Sequence, residues 1–298
     1  MVIQITGLTG DALTAANAAA GIWASLFSSP VNITVNMAMG TSAGLADAQT
    51  PLESVGYSTV AAALAAQSGQ PGKSILADLP DALNTTNVSL PSGDSLTGFM
   101  NLTEANAQAL GLTDVISQNA TVTFSTGYTW YYGLDGNVPA GAFDFESVAL
   151  HELGHVLGFI SSEDDVDTGA TSISPTPLDL FRFTATCVQT SADPFETCPR
   201  DLTPSSSIVQ VLSDGTVSYP VCTGAKTGDG CQASHYQEGV GVMQYALAPG
   251  TAPGVSSADI WAMEMIGYDS AVPEPATLAF VALGLAGLAA LARRRRSA

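Results

Sequence analysis

Positive charge is scarce in this sequence. Lysine and arginine number 8 in 298 residues, against 27 aspartates and glutamates, for a formal charge of −19. Four of the eight form the run Arg293 to Arg296, so everything before it carries only Lys73, Arg182, Arg200 and Lys226. Phosphate binding needs a basic face, which excludes nucleic acid as a partner. The same imbalance gives the domain no attraction to anionic lipid. Histidine is scarcer still, with three residues. Cysteine is missing from the first 186 positions, and the four present are Cys187, Cys198, Cys222 and Cys231. Neither neighbouring pair has the C-x-x-C spacing of a zinc ribbon. An even, clustered set suits disulfides in an oxidising compartment. Of three connectivities, the favoured one joins Cys187 to Cys198 and Cys222 to Cys231.

Hydrophobic residues make up 46% of the chain, enough for a substantial core. The pattern predicts one α+β domain over residues 1–270, with an irregular, disulfide-bearing insertion at 159–234. Asp11 to Leu26 is alanine-rich and reads as a helix with Asp11 as N-cap, stopped by Pro30. Val31, Ile33, Val35, Met37 and Met39 alternate with Asn32, Thr34, Asn36 and Ala38, the period of a half-buried strand. Ser58 to Gln67 and Thr103 to Leu110 read as helices, and residues 120 to 125 alternate again. Gly127 to Gly136 supplies an aromatic turn. No internal repeat is evident.

Two of the three histidines lie on one helix. Glu146 to Phe159 reads ESVALHELGHVLGF, with Ala149, Leu150, Leu153, Val156 and Leu157 as its apolar face. His151 and His155, four apart, project from one side about a turn from each other. Glu152 stands between them, completing H-E-x-x-H. Neutral imidazoles suit zinc, and a carboxylate beside the metal can take a proton from its water and pass it to a leaving amine. The acidic run Glu163, Asp164, Asp165 and Asp167 is a candidate calcium ligand set, because hard cations favour clustered carboxylates.

Gly158 extends the motif to H-E-x-x-H-x-x-G, which resembles the metzincin metalloproteases. In compact metzincins a third histidine follows three residues later, where this chain has Ser161, a poor zinc ligand. His235 is the remaining histidine, and Met243 follows it in Val242-Met243-Gln244-Tyr245. That order resembles the leishmanolysin branch, in which a cysteine-bearing insertion separates the glycine from the third histidine. The resemblance covers residues 120 to 270 and implies a zincin with a twisted mixed sheet, an active-site helix and a Met-turn. It implies His151, His155 and His235 as zinc ligands, Glu152 as general base, Met243 beneath the metal, and Tyr245 as a group that touches the zinc or the oxyanion. The expected activity is hydrolysis of protein or peptide substrates by a metal-bound water. Two alternatives stay open. One is a gluzincin-type peptidase with Glu163 or Glu238 as third ligand. The other is a non-catalytic extracellular surface or matrix protein that keeps the fold.

The end of the chain has a different character. Val272-Pro273-Glu274-Pro275 precedes 17 uncharged residues, Ala276 to Ala292, and then the four arginines. The run would span about 26 Å as a helix, a slightly short membrane segment, with the arginines left on the cytoplasmic side. This order, over residues 271–298, resembles the PEP-CTERM sorting signal of Gram-negative bacteria. The resemblance implies transient residence in the inner membrane through residues 276–292. It also implies cutting by an exosortase-type enzyme and an extracellular or cell-surface destination. Met1 to Gly10 has neither a basic stretch nor a long apolar one, so an N-terminal export signal is not visible there.

Overall fold

The computed structural model describes residues 1–112 and 119–271. The fold is α+β. Strand β1 (Val2–Thr6) pairs in parallel with β2 (Asn32–Gly40) through the helix α1 (Gly10–Leu26). Strand β3 (Ala46–Gln49) follows, then a hairpin-like pair from β4 (Leu52–Gly56) and, after helix α2 (Tyr57–Ala65), β5 (Phe99–Thr103). Helix α3 (Glu104–Ala109) leads to β6 (Ala120–Ser125). The main sheet is mixed, in the order β1-β2-β6-β3, with β3 antiparallel at its edge. Alternation set its faces: Val31, Ile33, Val35 and Met37 are buried, and so are Val122 and Phe124. Met39 departs from the pattern and is exposed near the end of the strand.

Helix α4 (Phe145–Leu157) carries H-E-x-x-H and packs between this sheet and α1. Asp144 caps it, accepting hydrogen bonds from the Ser147 amide at 2.9 Å and the Ser147 hydroxyl at 2.6 Å. Ala15, Ala16, Ala19 and Ala20 line the buried side of α1, and residues that small let two helices come close. Trp23, fully buried on the same side, donates its indole N–H to the carbonyl of Leu150 at 2.9 Å. Phe124 stacks on Phe145 at 4.2 Å between ring centroids, fixing the first turn of α4 against the sheet. Asp11 is not the N-cap of α1. That place belongs to Thr9, and Asp11 lies in the first turn, where a carboxylate still favours the helix N-terminus.

The insertion is more ordered than its composition suggests. It begins with α5 (Glu163–Asp167) and contains a three-stranded antiparallel sheet of β7 (Arg182–Thr184), β8 (Gln210–Ser213) and β9 (Ser218–Val221). Its strands are too short for a period of two to stand out. Leu178, Leu180, Phe181, Phe183, Phe195 and Leu212 join the main core rather than forming one of their own. Disulfides join Cys187 to Cys198 and Cys222 to Cys231, the favoured pairing.

Helix α6 (Ser257–Met265) closes the domain. Tyr268 donates its hydroxyl to the Leu157 carbonyl at 2.7 Å, and buried Lys73 donates to the Tyr268 carbonyl at 2.7 Å and pairs with Asp269 at 3.0 Å. The Ala271 amide reaches the Leu26 carbonyl, so the body is hydrogen-bonded to its last described residue. Val272 to Pro275, the apolar run and Arg293 to Arg296 lie outside the described residues. Among the described residues no helix is long and apolar enough to cross a membrane.

No cysteine among the described residues is free. Unreduced exported protein should therefore take up no thiol-specific label, and denatured, reduced protein should take up four. Labelling of any cysteine before reduction, read by mass spectrometry, would contradict the two disulfides.

Candidate metal centre

Helical spacing puts His151 and His155 side by side on α4, and the insertion returns His235 to them. Their Nε2 atoms form a triangle with sides of 3.1, 3.1 and 3.3 Å. Each Nδ1 faces a different backbone carbonyl. His151 donates to Val242 at 2.8 Å, His155 to Phe159 at 2.7 Å and His235 to Gln232 at 3.2 Å. Those bonds fix the tautomer: the protons sit on Nδ1, and three Nε2 lone pairs face one another with no proton between them. Burial first, and the neighbouring imidazole second, hold all three rings down to a pKa of about 3.

A bare triangle of lone pairs is unfavourable, and a cation at its centre removes the repulsion. Nitrogens at about 2.0–2.1 Å from a tetrahedral zinc lie about 3.3–3.4 Å apart, close to the spacing seen here. The donor set fits zinc on those grounds.

The cleft in front of the triad has a volume of about 950 Å³ and is lined by Glu152, Asp47, Asp164, Tyr128 and Tyr245 among others. Glu152 is buried, and its carboxyl is pushed up to about 8, first by desolvation and then by the charge of Asp47. The backbone N–H of Ala48 on β3 bonds it and works the other way. One side of the cleft is the stretch from Thr41 to Ala48, which includes the edge strand β3.

Gly158 takes a left-handed φ of +115° at the end of α4. A side chain there would be strained and would press on Asn106 and Ile266, each 3.1 Å from a built Cβ. The turn it allows brings the Phe159 carbonyl back onto His155. Met243 is fully buried beneath His151 and His155: a Cβ on Gly154, which lies between them, would stand 2.2 Å from its sulfur. Tyr245 lies on the rim of the cleft, 44% exposed.

Neither alternative third ligand reaches the pair. Glu163 is fully buried against Arg182 at 2.9 Å, and Glu238 is exposed on the following turn. Ser161, at the compact position, donates its hydroxyl to Asp179 at 2.6 Å. The acidic run expected to gather calcium does not converge on a point. Asp164 faces the amides of Ala233 and Ser234, Asp167 faces those of Lys226 and Thr227, and Glu163 faces Arg182. Among the described residues, the groups whose ligand atoms lie within reach of one another are the three histidines and Cys222, Asp229 and Cys231. The second group contains a disulfide.

Four residues important to this geometry escaped the sequence reading. Gly154 makes room for Met243. A glycine inside a helix costs about 1 kcal/mol against alanine, which is itself a sign of a packing role. Asp259 caps α6 and accepts from the amides of Val242 at 3.0 Å and Met243 at 3.1 Å, holding the loop whose carbonyl orients His151. Its signal was the capping box with Ser256. Arg182, fully buried, donates to the carbonyls of Cys222 and Ala233. Trp23 ties α1 to the ligand helix. Neither of these last two has a local signal.

The comparison with protein families finds one match. The chain carries a PEP-CTERM protein-sorting motif at residues 271–296. That motif implies recognition by an exosortase-type sorting enzyme, and export with sorting to the surface in bacteria. No curated protein and no solved structure matches the chain.

His235→Ala should drop bound zinc from about one per chain to a small fraction, while Glu238→Ala should leave it unchanged. Metal analysis after gel filtration reads both. Zinc retained by the first variant and lost by the second would move the third ligand to the glutamate.

Proposed function

We propose that the protein is an exported zinc endopeptidase of the metzincin type, resembling the leishmanolysin branch. One observation carries the reading: three neutral imidazoles aim their Nε2 lone pairs at one point. They do so in a cleft that also holds the H-E-x-x-H glutamate. His151, His155 and His235 would hold the metal, which when bound supplies a Lewis acid for the scissile carbonyl and an acidified water.

The chain's own groups account for the rest. Glu152, desolvated in the cleft wall beside the triad, has its proton affinity raised toward neutrality, so it can take a proton and return it to the leaving nitrogen. The strand β3 borders the cleft as an edge of the main sheet, and an extended peptide can add to such an edge as a strand. The Ala48 amide, which bonds Glu152, links that strand to the general base. Tyr245, exposed on the rim of the cleft, would meet a substrate there.

The rival reading is a non-catalytic surface protein, supported by the sorting motif, which suits any cargo. The two part at Glu152. Glu152→Gln should keep about one zinc per chain and lose about 10²–10⁴ in the rate of casein-peptide cleavage. Undiminished cleavage by a zinc-loaded Glu152→Gln preparation would end the mechanism, and absence of cleavage by the zinc-loaded parent would favour the rival. Protein recovered from the surface of a native host should lack residues 276–298, and an intact mass that includes Arg293 to Arg296 would contradict processing at the motif.

A further inference from the structure

The insertion sets a geometric problem at its exit. His235 must arrive at His151 and His155 after 72 residues of detour between Ser161 and Ser234, and an imidazole misplaced by an ångström no longer shares a centre with them. The carboxylate of Asp164 stands at that junction. One oxygen accepts the Ala233 amide at 2.7 Å; the other accepts the Ser234 amide at 3.0 Å and the Ser234 hydroxyl. The Ser234 hydroxyl in turn accepts the Ser161 amide at 2.9 Å. Residue 161 is where the compact pattern places its third histidine, so the two ends of the insertion are stitched together where an uninterrupted chain would carry the ligand.

We infer that Asp164 is the positioning residue for the third metal ligand, acting through the Ala233–Ser234 backbone on His235. The inference rests on the three histidines being the zinc site, not on peptide hydrolysis. Two successive amides presented side by side need two acceptors, and a carboxylate supplies both from one rigid group. An asparagine supplies one acceptor and turns an N–H₂ toward an N–H. The other ties on this segment fix different things. Arg182 holds the Ala233 carbonyl, and the Cys222–Cys231 disulfide closes the preceding turn. Neither holds the two amides that enter His235. Asp164 also borders the cleft, on the same side as Ser234 and His235.

Asp167 provides a matched control. It lies on the same five-residue helix and accepts the Lys226 amide at 2.8 Å and the Thr227 amide and hydroxyl at 2.6 Å each. It thus makes as many bonds to the insertion, eight or more residues before His235.

The test is the zinc affinity of the disulfide-intact chain, measured by competition with a chromophoric chelator, with the visible absorption of the cobalt(II)-loaded protein as second readout. Removing a group that orients a metal ligand typically costs about 10–100-fold in affinity. Asp164→Asn should show a loss of that size and a weaker, shifted cobalt band, while Asp167→Asn keeps the parent affinity and spectrum. Should Asp164→Asn fail to fold, Ser234→Ala reads the same contact through one donor and should lose affinity several-fold. Parent-like affinity in folded Asp164→Asn, or in Ser234→Ala where that variant stands in, overturns the inference. So does an equal loss in Asp167→Asn. A parent that binds zinc and cleaves no peptide would remove the peptidase reading while the affinity difference still supports Asp164. A parent that binds no zinc overturns both.

Discussion

Three imidazole lone pairs within 3.3 Å of one another repel, and most of what is distinctive in this fold serves to hold them there. Each ring is turned by one carbonyl, and the three carbonyls come from three places: the turn after α4, the loop before α6 and the last residues of the insertion. Each place has its own support. Gly158 permits the first, Asp259 holds the second through the Val242 and Met243 amides, and the third is bound to α5. The helix α4 is fixed from behind by Trp23 and from beneath by Met243. The cost of bringing the rings together is spread over these contacts, several of which also end a helix or fill the core.

A detour of 79 residues between His155 and His235 is less improbable than it looks. Loop-closure entropy grows slowly, about 0.6 kcal/mol for each doubling of length. Much of this insertion is moreover not a loop: its sheet and aromatic side chains are part of the main core, and two disulfides divide it into smaller closed segments. Chain length is then a minor term beside the precision needed at the exit, where hydrogen bonds replace the covalent continuity of a compact motif.

Legibility in the sequence followed the range of the interactions. The helix that carries H-E-x-x-H announced itself through periodicity, a cap and a terminal glycine, all within a few residues of one another. Strand β2 did so through strict alternation, with the exception of Met39 near its end, which is exposed and which no local pattern records. His235 was reachable by scarcity, because only three histidines were available, and Met243 by its place after it. What stayed hidden depends on contacts between distant segments. Nothing near Gly154 in sequence mentions a sulfur 89 positions later. The acidic run Glu163 to Asp167 invited a calcium reading because composition shows charge without direction. In the fold Glu163, Asp164 and Asp167 each have a separate set of donors, Asp165 is exposed, and the three buried or half-buried carboxylates hold the insertion.

The same scarcity of cations that excluded nucleic acid has a structural counterpart. Of the four basic residues before the terminal arginines, Lys73, Arg182 and Arg200 are buried, and among the described residues Lys226 is the one at the surface. Each buried cation joins segments far apart in the chain. Lys73 binds the end of the domain, Arg200 reaches the Leu180 and Phe195 carbonyls and lies over the Phe195 ring at 4.5 Å, and Arg182 connects β7 to β8, to Cys222 and to Ala233. Burying such charges is expensive, and a hydrophobic replacement of a whole pair is often no less stable, whereas removal of one partner alone typically costs about 3–5 kcal/mol. Their benefit here is direction. A guanidinium with carbonyls on several sides accepts one arrangement of those carbonyls, and through Ala233 Arg182 constrains the residues that lead into His235. The interior charges thus specify the path of the insertion, while the surface is left almost wholly acidic.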